Sequence, residues 1–273
     1  MSTIARPSAL DAYIIAGGEE GHARLGVLSR VLLPSTRSLL DRFEPLRGGL
    51  LIDAGCGGGH VTFELAARAG PTGRVIGLDA DGVKLDLNRT AAADQGIHNV
   101  EFRETDVLGQ WPVNGASLVY TRFVLMHLTE PERMLARARE ALRPGGVLVV
   151  EDIDYGGEFC DPPCPAFDRY SELFVQAAQR RGVDPFIGRK LVRLVRNAGF
   201  ASVDSVLVQP YGSSGDVKHV QFLTFLAIRG ALLESGMADA AEIAEIAREL
   251  KLFAECTQTT LGWPRIFQVW GRV

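Results

Sequence analysis

A glycine-rich turn that follows a short apolar run limits the fold of this chain more than any other feature. The run Leu50-Leu51-Ile52 leads through Asp53 into residues 55–60, Gly-Cys-Gly-Gly-Gly-His, and a helical pattern begins at Val61. Glycine lets the backbone approach a ligand at φ angles that other residues avoid. The start of a helix adds free N–H groups and the positive end of its dipole. The segment therefore predicts a strand, a turn and a helix that bind a nucleotide-like ligand.

Short apolar runs and amphipathic stretches alternate through the region that contains this turn. The apolar runs lie at residues 50–53, 74–79, 100–106, 117–122 and 146–154. The last contains Val147-Leu148-Val149-Val150 without polar alternation, which is typical of a strand covered on both faces. Asp81 is placed to cap a helix between two of the runs. The alternation predicts an α/β fold in which helices cross over between parallel strands.

The two ends of the chain have a different pattern. Residues 1–47 have helical spacing that Pro34 is expected to break, and they are interpreted as an N-terminal cap. Helices are predicted near residues 166–181, 188–198, 216–235 and 238–255, and strands at 202–209 and 265–273. The predicted division is a helical cap at 1–47, a ligand-binding core at 48–155, a cap loop with helices at 156–200, and sheet completion at 201–273 around a helical insertion at 212–260.

Composition excludes several classes of partner. The 33 acidic and 29 basic residues give a net charge of -4, and no basic stripe is present, so nucleic acid is not expected as a partner. No apolar run approaches the ~20 residues that cross a bilayer, and no secretory signal opens the chain, so we expect no membrane partner and a cytoplasmic location. Four cysteines are too few for a disulfide framework. Cys160 and Cys164 lack a second pair of ligands nearby, so no metal site is predicted.

The spacing of the glycines separates two kinds of nucleotide-binding turn. A dinucleotide-binding turn has the pattern G-x-G-x-x-G, whereas His60 stands at the third position after Gly57, and this argues against an NAD-dependent oxidoreductase. The acid followed by G-x-G-x-G resembles motif I of the class I S-adenosylmethionine-dependent methyltransferases. The resemblance continues in order along the chain. It includes Asp79, Asp106, residues 117–122, Met126-His127-Leu128 and residues 142–148.

This resemblance implies a Rossmann-like seven-stranded sheet with helices on both faces, an antiparallel last strand, and S-adenosylmethionine as cofactor. It implies cofactor contacts from Asp53 before the glycine turn and Gly55, Gly57 and Gly59 within it, Asp79 and Ala80 at the ribose hydroxyls, Asp106 and Val107 beside the adenine amino group, and Thr121 and Arg122 at the end of the fourth strand. The residues themselves leave alternatives open. Asp79 could cap a helix, Asp106 could be an ordinary turn residue, and Asp53 could only hydrogen-bond the turn. Arg122 could meet a carboxylate of the cofactor or the substrate, or form a surface salt bridge.

The acceptor side is predicted from a weaker resemblance. Residues 13–25 and 184–189 are similar to segments of bacterial small-molecule methyltransferases in which extra helices roof the active site. On this basis Tyr13, His127, Tyr155 and Phe159 are candidates to contact the substrate. His127 is also the candidate catalytic base, because an imidazole can accept a proton near neutral pH. We favour the alternative in which His127 packs against the following helix and hydrogen-bonds a backbone carbonyl.

The function predicted from these features is methyl transfer from S-adenosylmethionine to an oxygen, nitrogen or carbon of a small organic acceptor in secondary metabolism. The alternative is a protein of the same fold that catalyses a cyclisation or rearrangement while the cofactor stays unreactive. The partner expected in both cases is a small molecule. The oligomeric state is left open, with a homodimer as one option.

Overall fold

The structure, a computed structural model, contains a central seven-stranded sheet and describes Ile15 and residues 18–273, except for the side chains of residues 18–20. The strands are β1 (Leu50–Ala54), β2 (Arg74–Asp79), β3 (Val100–Glu104), β4 (Ala116–Arg122), β5 (Leu142–Asp154), β6 (Phe159–Asp161), β7 (Ala201–Val208), β8 (Tyr211–Gly212), β9 (Thr260–Gly262) and β10 (Arg265–Arg272). The helices are α1 (Gly18–Leu40), α2 (His60–Ala69), α3 (Gly82–Asp94), α4 (Pro131–Ala141), α5 (Pro165–Arg180), α6 (Leu191–Asn197), α7 (Asp216–Glu234) and α8 (Ala240–Glu255). Short 3₁₀ turns occupy Asp41–Phe43, Leu125–His127 and Ile187–Lys190.

The strand order of the central sheet is β3-β2-β1-β4-β5-β10-β7. Strands β3, β2, β1, β4 and β5 run parallel, and β10 pairs antiparallel with both β5 and β7. The predicted α/β fold with an antiparallel last strand is therefore confirmed. The chain moves outward from β1 to β2 and β3 and then returns to β4 on the other side of β1. Ligands of open α/β sheets bind beyond the strand ends at such a switch point.

The expectation that Pro34 breaks the first helix is wrong. Helix α1 continues from Gly18 to Leu40 with Pro34 inside it. Proline removes one backbone hydrogen bond from a helix at a cost of ~3 kcal/mol. Leu32, before the proline, and Leu39, after it, are both fully buried, while Pro34 itself faces solvent. Burial on both sides offsets the lost hydrogen bond, so the helix stays continuous.

A small second sheet was absent from the prediction. Strands β6, β9 and β8 form it in the order β6-β9-β8, and each is only two or three residues long. Runs this short give no period in the sequence. The boundaries of the predicted strands differ most at two places, because β3 ends at Glu104 rather than at 106 and β5 begins at Leu142 rather than at 146.

Helices α1, α5, α7 and α8 form a cap. Helix α7 packs against α1, α5 and α8. Aromatic contacts join its members: the rings of Tyr170 and Phe225 meet edge to face with centroids 5.9 Å apart. None of the described helices combines the length and the apolar character that a membrane span requires.

Candidate active site

A cavity lies between the carboxyl ends of the central strands and the helical cap. It encloses about 370 Å³, which falls within the ~300–1,000 Å³ of small-molecule sites. Its wall includes residues that follow β3, β2, β1, β4 and β5, together with residues of α1, α5 and α7. The strand order divides it into two halves. One half lies over the ends of β3, β2 and β1 and includes Arg122 at the end of β4. The other lies over the 3₁₀ turn that follows β4 and over the end of β5, beneath the cap.

The glycine turn borders the first half. Gly55, Gly57 and Gly59 have φ angles of +75°, +49° and +71°, in the left-handed region that favours glycine. Gly55, Gly57 and Gly58 face the cavity with bare backbone. Gly59 does not border the cavity; it caps α2, and a Cβ there would lie 2.9 Å from the side chain of Asn88. Asn88 Nδ2 also donates to the Gly57 carbonyl at 2.8 Å, so this side chain fixes the turn from below.

Asp53 joins the turn to the helix that follows. Its carboxylate is buried, borders the cavity and accepts a hydrogen bond of 2.6 Å from Thr62 Oγ1. Burial raises the pKa of Asp53 to about 6, and the bond from Thr62 opposes that shift. Thr62 belongs to the first turn of α2, so Asp53 fastens the start of this helix. The hydrogen bond of Asp53 is therefore made to α2 rather than to the glycine turn as predicted, and its place beside the ligand stays a prediction.

Asp79 stands at the end of β2 and borders the same half of the cavity. Its Oδ2 accepts from the Gly57 N–H at 2.8 Å, and its Oδ1 accepts from the Asp81 N–H at 3.0 Å. The neighbouring Ala80 also lines the cavity. A carboxylate has about four lone-pair positions, so Asp79 can hold the turn and still accept hydrogen bonds from a diol.

The two residues predicted to lie beside adenine have different surroundings. Val107 borders the cavity, and its carbonyl accepts a hydrogen bond of 3.0 Å from Trp111 Nε1. The structure does not bring Asp106 to the cavity wall. Its Oδ1 instead accepts from the Leu108 N–H at 2.9 Å and shapes the turn after β3. The adenine role of Asp106 stays a prediction, and Val107 is the better-placed member of the pair.

Arg122, at the end of β4, borders the cavity and belongs to a network of hydrogen-bonded side chains that is otherwise buried. Its Nη1 donates to Thr36 Oγ1 at 3.1 Å, and Thr36 Oγ1 donates in turn to Glu151 Oε1 at 2.7 Å. Tyr120 and Gln268 also donate to the Glu151 carboxylate, at 2.5 and 2.8 Å. This network ties α1 to the middle of the sheet and holds the guanidinium of Arg122 in place.

Thr121, the residue before Arg122 on β4, was also predicted to contact the cofactor, but it does not border the cavity. It is buried within β4, and its Oγ1 has no hydrogen-bond partner among the described residues. Side chains alternate between the two faces along a strand, so Thr121 points away from the side that Arg122 occupies.

His127 lies on the 3₁₀ turn after β4 and borders the second half of the cavity. Burial, and after it the charges of Arg24 and Lys84, lower the pKa of His127 to about 3, so its ring is neutral at neutral pH. Asp152 supports this turn by accepting from the Met126 N–H at 3.3 Å. Burial raises the pKa of Asp152 to about 7. Both roles considered for His127 stay predictions, but a ring that protonates so weakly is a poor base near neutral pH.

The roof residues predicted from the sequence separate into three cases. Tyr155 borders the cavity, stacks on Phe174 with ring centroids 4.2 Å apart, and has its hydroxyl 3.4 Å from that of Tyr170. Phe159 is not brought to the cavity: β6 pairs with β9, which leaves the ring 46% exposed and stacked on Tyr211. Tyr13 lies outside the described residues.

Several cavity residues had no sequence prediction. They are Arg24 on α1, Gln221 and Thr224 on α7, and Trp263 before β10. Arg24 left one signal in the sequence, because it stands in the apolar stripe of α1 four residues before the buried Leu28. The residues on α7 and β9–β10 reach the cavity only through the tertiary fold, and no local pattern marks them.

The comparisons with known proteins agree with this geometry. The family model described as a methyltransferase domain matches residues 47–186. That range contains the glycine turn, Asp79, Arg122, His127 and Tyr155. The chain belongs to the class I S-adenosylmethionine-dependent methyltransferases.

This methyltransferase is similar in sequence to the following three proteins, among others. It is 34% identical over 166 residues to an uncharacterised 37.1 kDa protein of transposon TN4556 from Streptomyces fradiae, a match that covers 60% of this chain and only 46% of that relative. It is 28% identical over 200 residues to the trans-aconitate 2-methyltransferase of Sinorhizobium fredii, covering 72% and 70% of the two chains. It is 31% identical over 124 residues to the aklanonic acid methyltransferase of a Streptomyces species, covering 45% and 56%.

Two solved structures share the fold at low identity. The geranyl diphosphate C-methyltransferase of Streptomyces coelicolor aligns with a TM-score of 0.55 at 15% identity, over 92% of this methyltransferase and 84% of that chain. The cyclase SpnF aligns with a TM-score of 0.50 at 18% identity, over 83% and 76%. The fold is therefore shared by a methyltransferase and a cyclase.

The first half of the cavity fits the methyl donor of this family. The bare backbone of Gly57 leaves room for close approach, and the Asp79 carboxylate at the cavity edge suits the ribose hydroxyls. Val107 offers an apolar contact for the adenine. Arg122, fixed through Thr36, suits the carboxylate of the methionine portion. These residues would hold S-adenosylmethionine over the ends of β3, β2 and β1.

Proposed function

We propose that this methyltransferase moves the sulfonium methyl of S-adenosylmethionine to an oxygen, nitrogen or carbon of a small organic acceptor, and that the acceptor is an intermediate of secondary metabolism. The observation that supports this proposal is that both halves belong to one continuous cavity. A polar half with the glycine turn and Asp79 opens directly into a half roofed by apolar cap residues. The relative named for aklanonic acid supports a natural-product acceptor.

The bound cofactor supplies a methyl group that its positive sulfur already activates. The chain has to align the acceptor and exclude water. Phe174, Val220 and Trp263 close the acceptor half with apolar side chains from three parts of the chain. Burial raises the pKa of Tyr155, so its phenol stays protonated and can donate a hydrogen bond to an acceptor oxygen. Neutral His127 can orient an acceptor hydroxyl by accepting its hydrogen bond.

Neither His127 nor Tyr155 acts as a strong base in the acceptor half at neutral pH. His127 protonates too weakly, and Tyr155 does not ionise. An acceptor that is already nucleophilic, such as an enolate, a carboxylate or an acidic phenol, therefore suits this cavity better than an alcohol. The chemistry required of the chain is then positioning rather than proton removal.

Incubation with methyl-deuterated S-adenosylmethionine tests the proposal. We expect the chain to bind this cofactor and not NAD in calorimetry, and to transfer the labelled methyl to at least one compound in a panel of trans-aconitate, phenolic acids and β-keto esters. Mass spectrometry detects the label in the product and S-adenosylhomocysteine in equal amount. A chain that binds NAD and not S-adenosylmethionine contradicts the proposal.

The alternative of a cyclisation or rearrangement makes a different prediction for the same experiment. The product would then have the mass of its substrate, and no S-adenosylhomocysteine would accumulate. The fold does not separate the two activities, because SpnF shares it. Mass analysis of the product does.

A further inference from the structure

Arg24 is a buried cation that the proposed methyl transfer does not use. The residue is 8% exposed and borders the cavity. Its Nη1 donates to Thr224 Oγ1 at 3.4 Å, and its Nε has no hydrogen-bond partner among the described residues. Thr224 is neutral, so within the described part of the chain this guanidinium has a long hydrogen bond and no counter-ion.

A charge in this position is costly unless something pairs with it. Moving an ion out of water is unfavourable, and an opposite charge offsets that cost only when the geometry is excellent and the remaining N–H groups also find acceptors. The planar guanidinium matches a carboxylate particularly well, because two of its N–H groups can donate to the two oxygens. Because the described residues supply no counter-ion, an anion that enters the cavity would pair well with Arg24.

The surroundings of Arg24 locate it in the acceptor half. Thr224 belongs to the cap helix α7, and the Arg24 charge, after burial, helps to lower the pKa of His127 beyond β4. Arg122 lies toward the glycine turn instead. There its charge, after burial and His22, helps to lower the pKa of His60, which opens α2. The cavity therefore has one arginine for each half.

Glu158, an acidic side chain in this part of the molecule, is not a counter-ion of Arg24. Glu158 lies near Tyr155 and Tyr170, and its Oε2 accepts from Gln221 at 3.4 Å. Burial, and after it Asp168, raise the pKa of Glu158 to about 8, so this carboxyl is mostly protonated at neutral pH. The acceptor half thus carries net positive charge from Arg24.

We propose that the methyl acceptor is an organic acid and that Arg24 binds its carboxylate. This inference rests on the proposed function, since it names the substrate class of the same cavity. The carboxylate sits against the Arg24 guanidinium and Thr224, and the carbon skeleton packs on Phe174 and Trp263. Arg24 is thus a specificity-determining residue that selects acids over neutral analogues of the same shape.

Matched pairs of acids and amides test the inference. The full chain is saturated with S-adenosylhomocysteine and titrated by calorimetry with cinnamate, 4-hydroxybenzoate and hexanoate, and then with cinnamamide, 4-hydroxybenzamide and hexanamide. We expect at least one acid to bind 10- to 100-fold more tightly than its amide, the range expected for a charge-assisted pair. Arg24→Gln should reduce that preference to less than threefold, and Arg24→Lys should keep part of it.

Arg30→Gln is the matched control on the same helix. Arg30 is exposed and pairs with Asp216 at 2.5 Å, so this variant should keep the full preference for the acid. Melting temperatures separate a structural role. Arg24 has no counter-ion among the described residues, so its removal in Arg24→Gln should leave the stability unchanged or higher, whereas the loss of a structural arginine would lower the stability.

Three results of the acid and amide titrations would overturn the inference. They are equal binding of each acid and its amide by the wild type, absence of binding by all three acids, and retention of the preference in Arg24→Gln. Weaker binding of S-adenosylhomocysteine in Arg24→Gln would also contradict it, because Arg24 would then serve the cofactor. Failure of the wild type to bind S-adenosylhomocysteine instead contradicts the proposed function, and the acid preference can still be measured on the chain alone.

Discussion

Replacement of Asp79 by asparagine isolates the role of one carboxylate in cofactor binding. The carboxylate accepts from the backbone N–H groups of Gly57 and Asp81, one on each oxygen. An asparagine can keep only one of these acceptors, and its NH₂ group must face the other donor. The variant also loses the negative charge that strengthens hydrogen bonds from a ribose diol.

The expected magnitude follows from these contacts. Hydrogen bonds to a charged group contribute ~1.5–3 kcal/mol each, and part of that contribution survives in the amide. We therefore expect S-adenosylmethionine to bind Asp79→Asn about 2–3 kcal/mol more weakly, which is about a 30- to 160-fold rise in Kd. Asp79→Ala should lie at the upper end of this range, because it removes both acceptors while the fold stays intact.

Isothermal titration calorimetry measures the effect directly. Glu104→Gln is the matched control, since Glu104 pairs in register with Asp79 on the neighbouring strand but is exposed and does not border the cavity. Its Kd should stay within threefold of the wild type. If Asp79→Asn and Glu104→Gln bind the cofactor equally well, the assignment of Asp79 to the ribose is wrong.

Three further changes test other parts of the site. Gly57→Val should abolish cofactor binding in a folded chain, because φ is +49° and a Cβ would lie 3.0 Å from Leu25 Cδ1, while Gly230→Ala should bind normally; retained binding refutes this. His127→Gln should keep the pH–rate profile, and a 10²- to 10⁴-fold rate loss in a stable variant would make His127 the base. The pKa of Asp152 rises from 3.8 to about 7 on folding, so the folded state holds its proton longer. The free energy of unfolding of the wild type should therefore fall relative to that of Asp152→Asn as the pH rises from 3.8 to about 7. Equal pH dependence of the two free energies in denaturation experiments would contradict this.

Local patterns were enough to predict most of the fold and to single out the glycine turn and Asp79, which the structure brings together. The glycine turn and Asp79 lie within about 30 residues of one another, and each belongs to an apolar strand or to its end. The strands within residues 48–155 could therefore be predicted from uninterrupted apolar runs. Pro34 misled the prediction because the burial that keeps α1 continuous comes from tertiary packing, which local spacing does not record.

The acceptor half was harder to predict for a physical reason. Arg24 meets Thr224 across 200 positions of sequence, and Thr36 meets Glu151 across 115. Single polar residues inside apolar stripes gain their partners only when distant helices dock. Phe159 was predicted at the cavity from its position after β5, but pairing of β6 with β9 turned it outward.

The connection between the sheet and helices α7 and α8 of the cap has a consequence for how the choice of acceptor can be altered. Residues 209–264 leave the sheet after β7 and return at β10, and these two strands are direct antiparallel neighbours in which Val208 pairs with Ile266. The whole excursion thus closes like a long hairpin, and lengthening such a loop costs little entropy, ~0.6 kcal/mol per doubling. Gln221, Thr224 and Trp263 lie within it, whereas the glycine turn and Asp79 do not. Exchange of this one segment between homologues offers a route to new acceptors that leaves the methyl-donor pocket as it was.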